Sequence, residues 1–293
     1  MKIISIEEKY NNKKLIDVLL SYFPGLSTST IYKALRKKDI RINDKRISEN
    51  CVLKLGDEVK IFIADNLLEK KIDIPVIYED ENIVAFNKPT NLETTGDNSL
   101  TSCVKQLYNA KNTPYIEPCH RLDRNTSGII LFAKNPESEQ ALLEAFKNHT
   151  IEKHYVCVTY GIPHSKSKKL QAYLFKDSKK ALVYISDVQK QGYQKILTSY
   201  SLVKKNENKN LSLLDVTLET GRTHQIRAHL AHIGLPILGD GKYGNNQINK
   251  SYGQKIQCLS SYSIKFHFKE GSILYYLNDK TIKQHEIPFT NLI

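Results

Sequence analysis

HRLDRNTSGIILFAK, residues 120–134, sets the small polar run Asn125-Thr126-Ser127-Gly128 directly ahead of five apolar residues, Ile129 to Ala133. That junction predicts a tight turn feeding a strand. Asp123 then sits on a loop at the lip of a sheet. Arg121 lies two residues before it and Arg124 one after, so at least one of them points elsewhere. A guanidinium close by would hold the carboxylate ionised. An ionised, oriented carboxylate in a basic groove has the chemistry of a nucleophile or base toward a bound nucleotide. For an arbitrary Asp-Arg neighbour a surface ion pair is the commoner outcome, so the surroundings decide.

The decisive surroundings are LETGRTHQIRAHLAHIGLPILGDGKYG, residues 218–244. Thr223 has the side chain to cap a helix running to Ile233, where Gly234 and Pro236 end it. Ile226, Leu230 and Ile233 mark its buried stripe, and His224 and Arg227 share another face. Arg222 precedes the first turn, where backbone amides and the helix dipole favour phosphate. His224, His229 and His232 raise a metal site, but only the last two have helical ligand spacing and no nearby Cys or carboxylate completes the set. No metal and no cofactor is expected.

Composition narrows the partner. Lys and Arg outnumber Asp and Glu by 43 to 31, a formal charge of +12 spread over KK, RKK, KSKK and SKK clusters. Such a field attracts polyanions, and scattered Lys and Arg suit nucleic-acid phosphates. The five cysteines stand far apart with no CxxC pair, which excludes a disulfide framework and a zinc knuckle. No apolar leader and no long uncharged apolar stretch occurs, so a cytoplasmic protein without a membrane partner is expected.

Periodicity divides the chain into residues 1–64, a linker at 65–75 ending in proline, and 76–293. In the front part, Leu15, Val18, Leu19 and Tyr22 recur at helical spacing until Phe23-Pro24-Gly25. A second helix, capped by Ser27 or Ser29, carries Ile31, Ala34 and Leu35 on one side and Lys33, Arg36 and Lys37 on the others. Ile40 and Ile42 read as a strand, Asn43-Asp44 as a turn, and VLKLGDEVKIFI as a strand pair turning at Gly56-Asp57. Strand-like runs then recur around 76–89, at 128–134, 154–161 and 211–219, with one helix at ESEQALLEAFKNH. Strands outnumber helices, which predicts an α+β fold with a mostly antiparallel or mixed sheet. The Lys- and Asn-rich stretches near 165–180 and 204–210 read as exposed loops.

Residues 13–64, two helices followed by a small sheet with RKKDIRIN crossing between them, resemble the S-four type of RNA-binding domain. HRLDRNTSGIILFAK together with TGRTHQIRAHLAHIGLPILGDGKYG resembles the RluA family of pseudouridine synthases, over roughly 13–260. The resemblance implies that Asp123 is the essential carboxylate that attacks the target nucleotide, while uracil is freed, rotated and rejoined through carbon five. It implies that Arg227 salt-bridges that carboxylate, that Tyr155 in IEKHYVCVTYG packs on the target base, and that Arg121 enters the RNA stack vacated by the flipped uridine. By pattern alone, a tyrosine on a half-buried strand is usually core. Arg222 and His224 are assigned to positioning RNA, and Lys33, Arg36 and Lys37 to binding it. The expected partner is RNA, that of the large ribosomal subunit, with no obligate protein partner and a monomeric enzyme.

Two segments depart from the family pattern. NKPTNLETTGD has Asn91 where a glycine is usual and Glu93-Thr94-Thr95 in place of the usual tail, while YQKILTSY keeps Thr198 but loses a small residue before it. Lys88-Pro89 is expected to remain structural. A non-catalytic RNA-binding or ribosome-assembly factor is the alternative; the intact Asp123, Tyr155 and Arg227 argue against it, because a carboxylate in an RNA groove repels phosphate. A nuclease would need a metal cluster or a paired acid and base, and neither is evident.

Overall fold

A computed structural model describes residues 1–23, 26, 28–64, 68, 74–96, 99–109 and 115–293. The chain divides into two compact units, Met1–Asp73 and Ile74–Ile293. Of the linker stretch 65–75, only 68, 74 and 75 are described; Pro24, Gly25 and Ser27 also lie outside the described residues.

In the first unit, α1 (Leu15–Tyr22) and α2 (Thr28–Lys37) pack with a four-stranded sheet of order β1-β4-β2-β3, where β1 is Lys2–Ser5, β2 Ile40–Ile42, β3 Lys45–Arg46 and β4 Glu58–Ile61. Leu15, Leu19, Ile31, Leu35, Ile40, Leu53 and Ile61 are fully buried, each such side chain contributing about 1.5–3 kcal/mol of transfer free energy. The α2 surface opposite Ile31 and Leu35 carries exposed Lys33, Arg36 and Lys37. Ser29 lies inside α2 and not at its cap. Asn43 and Asp44 both take positive φ, 49° and 64°, the geometry of a two-residue hairpin turn whose twist matches the strands.

The expected strand pair in 52–63 does not form. Leu53 instead exchanges backbone hydrogen bonds with the stretch before α1, donating to Lys13 and accepting from Asn12. That leaves β4 to pair with β1 and β2.

The second unit is built on an eleven-stranded sheet of order β11-β10-β12-β13-β9-β14-β8-β6-β5, with β15 on β14 and β7 on β8. The strands are β5 (Val76–Glu79), β6 (Ile83–Lys88), β7 (Glu117–Pro118), β8 (Ser127–Ala133), β9 (Ile151–Tyr160), β10 (Ser167–Asp177), β11 (Leu182–Ser186), β12 (Gln194–Asn206), β13 (Leu211–Leu218), β14 (Leu259–Phe266) and β15 (Thr281–Lys283). The sheet is mixed: β8 and β14 run parallel, through Ser127–Ser260 and Gly128–Ser261, among otherwise antiparallel pairings.

Among the described residues four α-helices accompany it: α3 (Leu100–Asn109), α4 (Pro136–Lys147), α5 (Gln225–His232) and α6 (Asn246–Ser251). Asn135 caps α4 by accepting the Ser138 amide, with Pro136 at its first position. Helix α5 lies against β11 and β12, Ala228 packing with Ala172, Leu174, Val183 and Ile196.

Residues 167–177 form strand β10 and not the expected loop. Leu170, Ala172 and Leu174 alternate inward, 5 %, 1 % and 4 % exposed, while Lys169, Gln171 and Phe175 face out. A dense run of lysines hides that period-two signal, because a strand with one solvated face tolerates charge at every second residue. The stretch near 204–210 is divided, β12 running to Asn206 before a turn.

Candidate functional site

The loop that carries Asp123 is fixed on every side. Lys88, fully buried, donates from Nζ to the carbonyls of Pro89, Leu92 and Arg124 at 2.9, 2.7 and 3.1 Å; burial drops its ammonium to about 8. Thr94 donates to the Leu122 carbonyl and accepts the Leu122 amide, at 3.0 and 3.1 Å. The Thr126 amide closes the turn onto the Asp123 carbonyl, and Gln257 donates to Thr126 Oγ1 at 2.7 Å. Gly128, at φ +106°, lets β8 pass so close to β14 that a Cβ there would stand 2.2 Å from the Ser261 carbonyl oxygen. His120 accepts the Leu131 amide on Nε2 and lies against Phe146 with ring centroids 4.7 Å apart. Burial, helped by Lys153, lowers its pKa to about 3, so it is a neutral structural ring.

Helix α5 delivers the partner of Asp123 from 104 residues away. The expected Thr223 cap is not what starts the helix. His224 is the capping residue, in the left-handed region at φ 53°, with no side-chain cap bond. The entry is held by Gln225, 2 % exposed, whose Oε1 accepts from the Arg222 amide and Thr220 hydroxyl and whose Nε2 donates to Leu197 and Thr198 on β12. Non-glycine residues in this backbone region are strained and persist where their surroundings determine them.

Arg227 lies one turn into α5 and its side chain is 8 % exposed. Its Nε and Nη2 donate to the two carboxylate oxygens of Asp240 at 2.7 and 3.0 Å, and its Nη1 donates to Asp123 Oδ2 at 3.1 Å. The bidentate pair sets the plane of the guanidinium, and the remaining nitrogen is thereby aimed at Asp123. Burial alone would raise the Asp240 carboxyl; Arg227 and the amides of Lys242 and Tyr243 hold it below its usual range. Tyr243 lies 5.3 Å from the Arg227 guanidinium, its hydroxyl accepts the Val183 amide, and it is bonded to His224 Nδ1 at 2.8 Å. His224 Nε2 stands 3.9 Å from Asp123 Oδ2, and burial keeps the imidazole pKa below its usual value.

Tyr155 projects from β9 into the same cleft at 7 % exposure. Burial, then the Asp123 carboxylate, push its phenol up, so it presents a neutral ring. Arg121 and Arg222 are exposed at the rim. Asp123, Tyr155, Arg227, His224, Arg121 and Arg222 thus line one cleft of about 530 Å³. Lys33, Arg36 and Lys37 belong to the other unit. Among the described residues no cluster of three or more His, Cys, Asp or Glu is placed to hold a metal; His229 is bonded to Thr198 and His232 to Asp187.

Asp240, Tyr243 and Gln225 had no assigned role in the sequence. The signal available for Asp240 was the pair of glycines around it in GDG. Gly239, at φ +81°, would place a Cβ 2.1 Å from the Ile256 carbonyl oxygen, and its amide donates to Asn249 Oδ1. The turn that carries the carboxylate is therefore built tight.

Residues 82–232 match the family model described as RNA pseudouridylate synthase. The ribosomal large subunit pseudouridine synthase C of Rickettsia felis is 37 % identical over 260 residues, 81 % of this chain and 83 % of that protein. The protein of the same name from Haemophilus influenzae is 31 % identical over 292 residues, 94 % of this chain and 90 % of the relative. Among solved structures, human RNA pseudouridylate synthase domain containing 1 shares the fold at a TM-score of 0.57 and 19 % identity, covering 75 % of this chain and 92 % of that one. With the paired HRLD and HQIR segments meeting in one cleft, the chain belongs to the RluA family of RNA pseudouridine synthases.

Proposed function

We propose that this enzyme isomerises specific uridines of large-subunit ribosomal RNA to pseudouridine, with Asp123 as the attacking carboxylate. The observation that carries the proposal is the chain Asp240–Arg227–Asp123 beside the buried ring of Tyr155. Arg227 occupies Oδ2 of Asp123, and among the described residues Oδ1 receives no hydrogen bond. Oδ1 is the atom offered to the nucleotide.

A uridine must leave its stack to reach this cleft, at a cost of a few kcal/mol. The ring of Tyr155 receives the base face to face, and Arg121 at the rim fills the vacated place with a planar cation suited to stacking. Asp123 attacks C1′ as the bond from C1′ to N1 breaks, uracil turns within the cleft, C5 bonds to C1′ as the Asp123 carboxylate leaves it, and the proton lost from C5 is matched by one taken up at N1. Atoms balance without any external reactant. Arg227 keeps Asp123 anionic and oriented, and His224 and Arg222 fix the RNA beside it. The first unit supplies affinity as an S-four-like RNA-binding domain through Lys33, Arg36 and Lys37. The enzyme acts as a cytosolic monomer. Two relatives matched over most of their length carry the name of ribosomal large subunit synthases, which supports the ribosomal target.

The test compares pseudouridine maps of RNA from cells lacking redundant enzymes and carrying either the wild type or Asp123→Asn. Positions modified only with the wild type are expected in large-subunit RNA. Identical maps would reduce the protein to an RNA-binding factor of this fold.

A further inference from the structure

Lys153 is a buried cation in the cleft with no part in the steps above. It stands two residues before Tyr155 on β9, so the two side chains leave the same face of the strand, about 7 Å apart along it. Lys153 is 9 % exposed. Among the described residues its ammonium has no carboxylate partner and no hydrogen bond; its neighbour is the ring of Phe146, 5.6 Å away. Burial with nothing to offset it pushes the ammonium below the usual lysine range. An unpaired buried charge is costly to the free protein.

The surroundings say what would offset it. Lys147, His149 and Arg222 line the same cleft, and Asp123 is the one carboxylate among its described lining residues. That carboxylate is already engaged by Arg227 at 3.1 Å. Gly221 lies beside Lys153, where a Cβ would come 3.6 Å from Nζ, so no side chain shields the ammonium on that side. An excess of positive charge at this wall calls for an anion. Uracil is neutral, and the anionic part of a nucleotide is its phosphate. Two residues along a strand also match the separation of a base from its own phosphate.

We propose that the Lys153 ammonium binds a backbone phosphate flanking the flipped uridine, anchoring the nucleotide while Tyr155 holds its base. The proposal rests on the base-binding role given to Tyr155 above. Lys153 is thus a binding residue placed by the strand itself, at the expense of the unliganded protein's stability.

The experiment measures affinity of the wild type, Lys153→Met and Lys153→Arg for a short RNA centred on a mapped target uridine. In parallel RNAs one flanking phosphate is replaced by neutral methylphosphonate, the adjoining 2′-hydroxyl being methylated in all RNAs compared. The wild type is expected to lose about tenfold or more in affinity with one of the neutral linkages, as for a lost charge-assisted bond. Lys153→Met should bind native and neutral RNAs equally weakly, and should melt at a higher temperature than the wild type without RNA. Lys153→Arg should keep the phosphate dependence. Wild-type affinity in Lys153→Met, or an additive further loss with every neutral linkage, would overturn the proposal. Failure of the catalytic proposal would show separately: phosphate-dependent binding without isomerisation spares Lys153, and isomerisation with unaltered binding by Lys153→Met sinks it alone.

Discussion

At the scale of single residues the arrangement turns on Asp240. Its side chain is fully buried and it holds two of the three guanidinium nitrogens of Arg227. Asp240→Ala leaves a guanidinium that is 8 % exposed without its bidentate partner. Removing one member of a buried ion pair costs about 3–5 kcal/mol, and Nη1 loses the alignment that points it at Asp123. A displacement of about 1 Å in a reacting group is worth about 10²-fold in rate. Asp240→Ala is therefore expected to lower the denaturant midpoint and, under conditions where it stays folded, to slow single-turnover pseudouridine formation about 10²-fold. A destabilised variant with wild-type turnover would mean that Asp240 supports the fold alone. Asp123, Arg227 and Tyr155 are named from the sequence through the family resemblance of HRLD, HQIR and IEKHYVCVTYG, and by pattern alone Tyr155 reads as core. Asp240 could not be named in this way, because its role depends on a turn clamped by Gly239 and Asn249 and on a helix face that brings Arg227 to it.

At the scale of elements, the site depends on the close parallel pairing of β8 and β14. Gly128 follows the Asp123 turn and takes φ +106° against the backbone of Ser261. Gly128→Ala meets both a steric clash and an unfavourable backbone region, and a loss of more than about 2 kcal/mol is expected. Because the same residue stands second in β8, the displaced strand moves the Asp123 loop, and turnover should fall further than stability does. Thermal unfolding and a rate measured well below the melting temperature separate the two effects; equal rates in both proteins would show that the loop is held by Lys88 and Thr94 without that pairing. The polar turn before Ile129 announced this strand, as the alternating and apolar runs announced β6, β9 and β13. Elements defined by distant partners left no such trace. Strand β1 pairs with the distant β4, β10 hides its inward Leu170, Ala172 and Leu174 among lysines, and α5 begins at a left-handed His224 and not at the expected Thr223 cap.

At the scale of the whole molecule, a formal charge of +12 makes binding to RNA an electrolyte problem. Every phosphate neutralised releases counterions, so affinity falls with salt by a slope proportional to the number of phosphates engaged. The exposed Lys33, Arg36 and Lys37 lie on the face of α2 opposite the buried Ile31, Ala34 and Leu35, and changing them leaves the core of their unit intact. The variant carrying Lys33→Gln, Arg36→Gln and Lys37→Gln should unfold within about 0.5 kcal/mol of the wild type, as surface substitutions do. If that face binds RNA, affinity for a long ribosomal RNA fragment falls, and the slope of log affinity against log salt shrinks by about 0.7 to 0.9 for each phosphate that is no longer neutralised. Turnover at saturating RNA should stay the same, since the cleft with Asp123 and Arg227 belongs to the other unit. An unchanged slope would place the phosphate-binding groups on the second unit alone, and the charge of α2 would then serve solubility.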